Sequence, residues 1–294
     1  DFINLTDVNG DYISMWNGSA FVSLGTGAQA KVEALVIGAT GIVYAGGSFT
    51  LMGGVANTKF IAKWNGAVWS AMGTGMATLN VAALCIDNAG NVYAGGAFSN
   101  AGGVAAADYI AKWNGTAWSS IGTFDGAVYA LAIDAAGIIY ATGDFGVPGN
   151  YVAKYGGQSW INLAGAGSPG YALAVTSDGY IYIAAFITAL ADAVGIWNGT
   201  SWIPLPIDLP GSAIVYALMA DGEDIYLGFG TEGNATVYGL NGVGPNAGYI
   251  TNSGTAPCYP VITIACTVAA ATLQELANAT THQTLRFNRA MQIG

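Results

Sequence analysis

From Tyr12 to Tyr226 the chain is built of short runs in which apolar positions alternate with small or polar ones, each run closed by Gly, Asn-Gly or Asp. Alternation over such lengths predicts β-strands with one packed face. The stretch 81–121 shows the unit. Val81-Ala-Ala-Leu-Cys-Ile-Asp87 predicts a strand, Asn88-Ala-Gly90 a turn, and Asn91-Val-Tyr-Ala-Gly-Gly-Ala-Phe98 the returning strand. A longer loop from Ser99 to Ala107 follows. Then Tyr109-Ile-Ala-Lys-Trp113 and Thr116-Ala-Trp-Ser-Ser-Ile121 flank Asn114-Gly115, the strongest short-range hairpin signal. Read as a two-residue turn, it places Trp113 opposite Thr116 and Ala111 opposite Trp118, with all four on one face of the hairpin. Trp113 and Trp118 are then expected to pack between neighbouring sheets; the alternative is that one of each such pair lines a sugar-binding groove.

The unit repeats. The Trp-turn hairpin recurs around Asn17, Asn65, Asn114, Gly156 and Asn198. The other hairpin returns through Tyr44, Tyr93, Tyr140, Tyr182 and Tyr226, which stand 42 to 49 residues apart. Periods of this size mark arrays of supersecondary units, and arrays of β-hairpins close into propellers. The expected fold class is all-β: a five-bladed β-propeller over 1–243, followed by a partial β-sandwich segment over 244–294. Because the chain opens on the second kind of hairpin, the one at 11–25 is expected to complete the blade begun at 213–230, removing an open sheet edge. A sixth, incomplete blade beginning at Thr236-Val-Tyr-Gly-Leu240 is the architectural alternative.

Composition narrows the function classes. The chain is 53% hydrophobic and only 8% charged, with a net charge of −10 and seven Lys and Arg. Phosphate backbones need clustered cations, so nucleic acid is excluded as an expected partner, and anionic membrane surfaces are disfavoured. No uninterrupted apolar stretch is long enough to span a bilayer, so membrane insertion is not expected. Cys85 lies in a predicted buried strand as a small hydrophobe; Cys258 and Cys266 are near enough in sequence to pair, yet three cysteines make no disulfide framework. No metal-ligand spacing is present and no cofactor is expected.

The repeat resembles kelch-like propeller repeats of the form Trp-Asn-Gly-x-x-Trp followed by Tyr-x-Gly-Gly-x-Phe. Residues 10–240 carry it, most clearly at Trp64-Asn-Gly, Tyr93-Ala-Gly-Gly-Ala-Phe98 and Trp113-Asn-Gly, with Tyr155-Gly-Gly and Ala184-Ala185 departing from it. Asn252, Gly254, Pro260-Val261-Ile262 with Ile264, Asn278, Thr280-Thr281, Leu285 and Phe287-Asn288 resemble the C-terminal β-sandwich of siphophage distal-tail and tail-component proteins, from which His282 departs at a turn. The resemblance implies a virion tail or extracellular surface location, with other tail proteins as partners.

Candidate chemistry is sparse. Asp87, Asp134, Asp178 and Asp221 recur at the turn of the Tyr-ended hairpin, where Asp caps backbone N–H groups. Asp108, Asp125 and Asp144 are less regular, and a glycosidase would need two carboxylates within about 5–10 Å. His282 has no nucleophile beside it. Asn-x-Ser/Thr at Asn17, Asn114 and Asn198 coincides with the hairpin turn and is read as turn chemistry first. These features lead to the expectation of a chain without catalysis, whose propeller displays variable loops to a host-surface glycan or receptor. The expected contact residues are Asn100, Asp108, Asp144, Asp192 and Trp118, and a homo-oligomer is expected. The alternatives are a purely structural tail or surface-assembly component, and a soluble lectin resembling tachylectin-type five-bladed propellers.

Overall fold

In the computed structural model of the chain, the described residues are 12–185, 194–205, 214–222, 224–231 and 234–240, with four strands beyond. The first hairpin is β1 (Ser14–Trp16) and β2 (Phe21–Ser23). The first full sheet is β3 (Val32–Ile37), β4 (Val43–Gly47), β5 (Ile61–Trp64) and β6 (Trp69–Ala71). The second is β7 (Val81–Ile86), β8 (Val92–Gly96), β9 (Ile110–Trp113) and β10 (Trp118–Ser119). The third is β11 (Ala127–Ile133), β12 (Ile139–Asp144), β13 (Val152–Tyr155) and β14 (Trp160–Asn162). The fourth is β15 (Gly170–Val175), β16 (Ile181–Ala185), β17 (Val194–Trp197) and β18 (Trp202–Pro204). Each of these four is an antiparallel meander with its strands in sequence order. A fifth sheet has three strands: β19 (Ile214–Asp221), β20 (Asp224–Thr231) and β21 (Asn234–Leu240). Of 244–294, the described strands form two hairpins, β22 (Ile250–Ser253) with β23 (Val261–Ile264) and β24 (Glu275–Asn278) with β25 (Gln283–Arg286). Cys258, Cys266 and His282 lie outside the described residues.

The sheets stack in order, each first strand lying beside the next: β3 by β7, β7 by β11, β11 by β15 and β15 by β19. This is a propeller-like stack, in which a sheet buries one face on its predecessor and the other on its successor. Leu84 and Ile86 of β7 pack back onto Val36, Ile42 and Tyr44. Cys85 of the same strand faces forward, clustering with Leu131, Ile133 and Ile139. The Gly-Gly pair explains how close the sheets come. A Cβ on Gly46 would stand 2.5 Å from Val81 Cγ1, and one on Gly95 would stand 2.6 Å from Val128 Cγ1.

Two further regularities tie the repeat. The outer-strand tryptophan of each sheet donates its indole N–H to the backbone at the end of the preceding outer strand. Trp69 donates to Leu24 O (2.7 Å), Trp118 to Met72 O (2.8 Å), Trp160 to Ile121 O (2.9 Å) and Trp202 to Leu163 O (3.4 Å). An aromatic residue with positive φ precedes the Trp-turn hairpin: Tyr12, Phe60, Tyr109 and Tyr151. In the first three full sheets reciprocal backbone bonds hold this uncommon conformation; the Tyr109 N–H donates to Phe98 O (2.9 Å) and the Tyr109 carbonyl accepts from Gly96 N (3.0 Å).

Two expectations are corrected. The Trp-turn is a four-residue loop, not a two-residue one. Trp113 pairs with Trp118, as Trp16 does with Phe21, Trp64 with Trp69, Tyr155 with Trp160 and Trp197 with Trp202. The Asn side chain decides it: Asn114 Oδ1 accepts the N–H of Thr116 (3.0 Å) and Ala117 (2.9 Å), and only Gly115 of the pair takes positive φ. Secondly, the hairpin at 11–25 does not complete the sheet begun at 213–230. The outer edge of β20 is taken by β21, the segment singled out as the start of another blade, and β1 pairs with β2 in a sheet of its own.

Candidate functional site

Each first strand carries a β-bulge near its start: between Val32 and Ala34, Val81 and Ala83, Val128 and Ala130, Gly170 and Ala172, and Val215 and Ala217. A bulge re-aims the extra side chain out of the pleat. The extra residues are Glu33, Ala82, Tyr129, Tyr171 and Tyr216. Since the first strands of successive sheets lie side by side, the three tyrosines form a row. Tyr129 and Tyr171 have ring centroids 5.9 Å apart and planes within 5°. Tyr171 and Tyr216 are 6.0 Å apart, tilted by 56°. Tyr171 is 45% exposed and Tyr216 59%. Burial raises the Tyr129 phenol above its ordinary pKa, and the nearby Asp144 carboxylate adds to this. Asp144 itself is exposed at the end of β12. Thus an aromatic strip with a carboxylate beside it runs along the first strands of the third, fourth and fifth sheets, open to solvent at Tyr171 and Tyr216. Glu33, at the equivalent place in the first sheet, instead accepts hydrogen bonds from Ser48 Oγ and Asn80 Nδ2.

This row was missed at the level of sequence. The signal that finds it is Val/Gly-x-Ala-Leu at 32–35, 81–84, 128–131, 170–173 and 215–218, in which x is the bulged residue. Simple alternation hides it.

Of the expected contact residues, Asn100 lines an open groove of about 420 Å³ with Thr74–Ala77, Gly103 and Ala105. Its backbone takes φ 50°, and its N–H donates to Asp108 Oδ1 at 2.8 Å. Asp108 therefore shapes the loop that presents Asn100. Asp125 plays the same part in the third sheet, accepting the N–H of Gly146 (2.8 Å) and Val147 (2.9 Å), and the Val147 bond foremost holds its carboxyl below the usual range. Asp192 lies outside the described residues. Trp118 is 5% exposed, and its N–H serves Met72 O, so it belongs to the sheet junction and not to a ligand surface.

The turn aspartates act as caps. Asp87 Oδ1 accepts from Ala89 N and Asn91 N, and its Oδ2 from Asn91 Nδ2 and Tyr93 Oη. Asp134 repeats this with Ala136, Ile138 and Tyr140. The fourth sheet departs from the expectation. Thr176, not Asp178, holds the equivalent place, its Oγ1 accepting from Tyr180 N at 3.1 Å. Burial opposes the charge on Asp87, but the bonds from Asn91, Tyr93 and Ala89 outweigh it, so its folded pKa lies below the ordinary value. A depressed carboxylate stabilises the fold above its unfolded pKa and loses that contribution as pH falls through the folded one. Asp87→Asn is expected to cost about 1 kcal/mol at neutral pH through its weakened cap. In urea denaturation that difference should shrink as pH falls from the ordinary carboxylate range through the lower folded pKa of Asp87.

No protein-family model matches the chain, and no curated protein matches its sequence. Solved structures do. Virginiamycin B lyase from Staphylococcus aureus is similar at 14% identity and a TM-score of 0.47, over 75% of this chain and 76% of that one. A streptogramin B lyase is similar at 10% identity and a TM-score of 0.49, over 78% and 76%. PorZ, a surface component of the type-IX secretion system of Porphyromonas gingivalis, is similar at 14% and 0.46, over 71% of this chain but only 32% of PorZ. Lyases stand among these neighbours, which corrects the expectation of a chain without catalysis. At 10–14% identity the likenesses carry no activity, substrate or partner to this chain, which is all-β, with four-stranded antiparallel sheets stacked propeller-fashion.

Proposed function

We propose that the chain is a recognition module of a virion tail or cell surface that binds a host-surface glycan along the row Tyr129, Tyr171 and Tyr216. The observation that carries this reading is the exposed row itself. Flat C–H faces of sugars stack on phenol rings, and the adjacent Asp144 carboxylate is a ready acceptor for sugar hydroxyls. The loops at 99–107 and 142–149, braced by Asp108 and Asp125, supply variable polar contacts at Asn100 and around Asp144. Weak contacts repeated over many copies on a virion or cell give avidity. The kelch-like repeat and the tail-protein resemblance of 252–288 favour that setting, and five successive sheets favour five blades. A lectin with one site per blade is disfavoured, because only three of the five bulges carry tyrosine.

The test is a glycan array probed with the full chain displayed multivalently. Saturable binding to one glycan class is expected, weakened about 10-fold or more by Tyr171→Ala, the loss of one stacking contact of about 1.4 kcal/mol. The exposed substitution should leave the denaturation midpoint nearly unchanged. Absence of binding, or binding indifferent to Tyr171, refutes the proposal and favours the purely structural component.

A further inference from the structure

Among the described residues the stacking rule leaves two faces uncovered. Leu84 and Ile86, Leu131 and Ile133, Leu173 and Val175, and Leu218 and Ala220 occupy equivalent positions on successive first strands, by register with their neighbours. All are buried or half-buried against the sheet before them. The equivalents in the first sheet, Leu35 and Ile37, are 54% and 66% exposed. At the other end, Cys85 has its equivalent in Met219, which is 58% exposed. One end of the stack thus offers the apolar face that a preceding sheet covers elsewhere, and the other offers the face that a following sheet covers.

The hairpin β1–β2 sharpens this. Trp69 donates to Leu24 O as Trp118 does to Met72 O, so the hairpin already stands where the outer half of a preceding blade stands. Among the described residues no inner hairpin pairs with it. The fifth sheet is the converse, an inner hairpin β19–β20 whose edge is held by β21. In that register β21 puts Tyr238 where the other sheets have Ala62, Ala111, Ala153 and Gly195, whereas β1 has Ser14 at the matching place. Only small residues stand there in the complete sheets, and each is buried.

We infer that copies of this chain associate head to tail. The inner hairpin β19–β20 of one copy covers Leu35 and Ile37 of the next, and β1 of that second copy takes the β20 edge from β21, so that two chains complete one four-stranded blade. A heterologous contact of this kind propagates, because each copy retains one face of each sort. The inference stands independently of the glycan reading.

Sedimentation velocity with the full chain and two variants at exposed positions, Ile37→Asp and Met219→Asp, tests it. The wild type is expected to show mass rising with concentration above 29.8 kDa. Each variant alone should stay monomeric, since a buried unpaired carboxylate is unfavourable. An equimolar mixture should yield a species of twice the monomer mass and nothing larger, because the intact face of one variant meets the intact face of the other. A wild type that remains monomeric at every concentration overturns the inference, as a ring closed within one chain would. So does a mixture of variants that fails to associate. Tyr171→Ala should associate like the wild type, so loss of glycan binding and loss of assembly are separable.

Discussion

Gly170→Val is expected to destabilise the fold by about 3 kcal/mol, the upper part of the range for overpacked interiors. A Cβ at 170 would stand 2.5 Å from Thr142 Oγ1 and 2.7 Å from Ile183 Cδ1, both in fully buried residues. The effect is specific to this junction. In the one before it, the three equivalent places hold Gly95, Val128 and Ala141; here they hold Thr142, Gly170 and Ile183. The volume has moved from the middle residue to its two neighbours, and a hydrogen bond from Gly170 N to Thr142 Oγ1 (3.1 Å) accompanies the change. Thr142→Gly and Ile183→Ala should each destabilise singly by leaving a void. The triple variant restores the residue set of the preceding junction. It should recover more than half of the Gly170→Val loss, read as the shift in urea midpoint, because contacting substitutions couple. A triple variant no more stable than the sum of its singles would show that the junctions are not interchangeable.

Trp118→Ala should cost about 4 kcal/mol, a typical cost for truncating a buried tryptophan. The ring packs against Trp113 at 5.4 Å and approaches Gly102, where a Cβ would stand 2.6 Å from its Cδ1. Trp118→Phe keeps most of the packing but leaves Met72 O without its donor, and should cost about 1–2 kcal/mol. Thermal and urea denaturation measure both. If Trp118 were a ligand platform, Trp118→Phe would weaken binding at unchanged stability; the 2.8 Å bond to Met72 O leads to the opposite result.

Local chemistry made much of the fold legible. Asn-Gly, Asp caps and period-two alternation act over a few residues, so hairpins, their order and their recurrence stand in the chain itself. The cap at Asp87 and Asp134 was readable for that reason, and the fourth sheet departed because Thr176 performs the same bonding two residues before Asp178. The hairpin register was misread because two local preferences compete at Asn-Gly. A left-handed first residue would make the two-residue turn, but the bonds that Asn114 Oδ1 accepts from the N–H groups of Thr116 and Ala117 in the same turn win. Trp118 packs at the sheet junction, as expected of its hairpin face, and not on the ligand surface where it was also counted, while Tyr171 had no role in the sequence reading. An extra residue at the bulge turns Tyr171 outward, while strict alternation keeps Trp118 inward.

By itself, then, the sequence determined the repeated hairpins, the capped turns and a net charge of −10. Only the tertiary structure decided which faces are covered, which tyrosines align, and which strand holds the β20 edge. The reason is physical. A turn is closed by atoms a few bonds apart, whereas an apolar face such as that of Leu35 or Leu84 is identical in pattern, and its burial depends on whether another sheet stands in front of it.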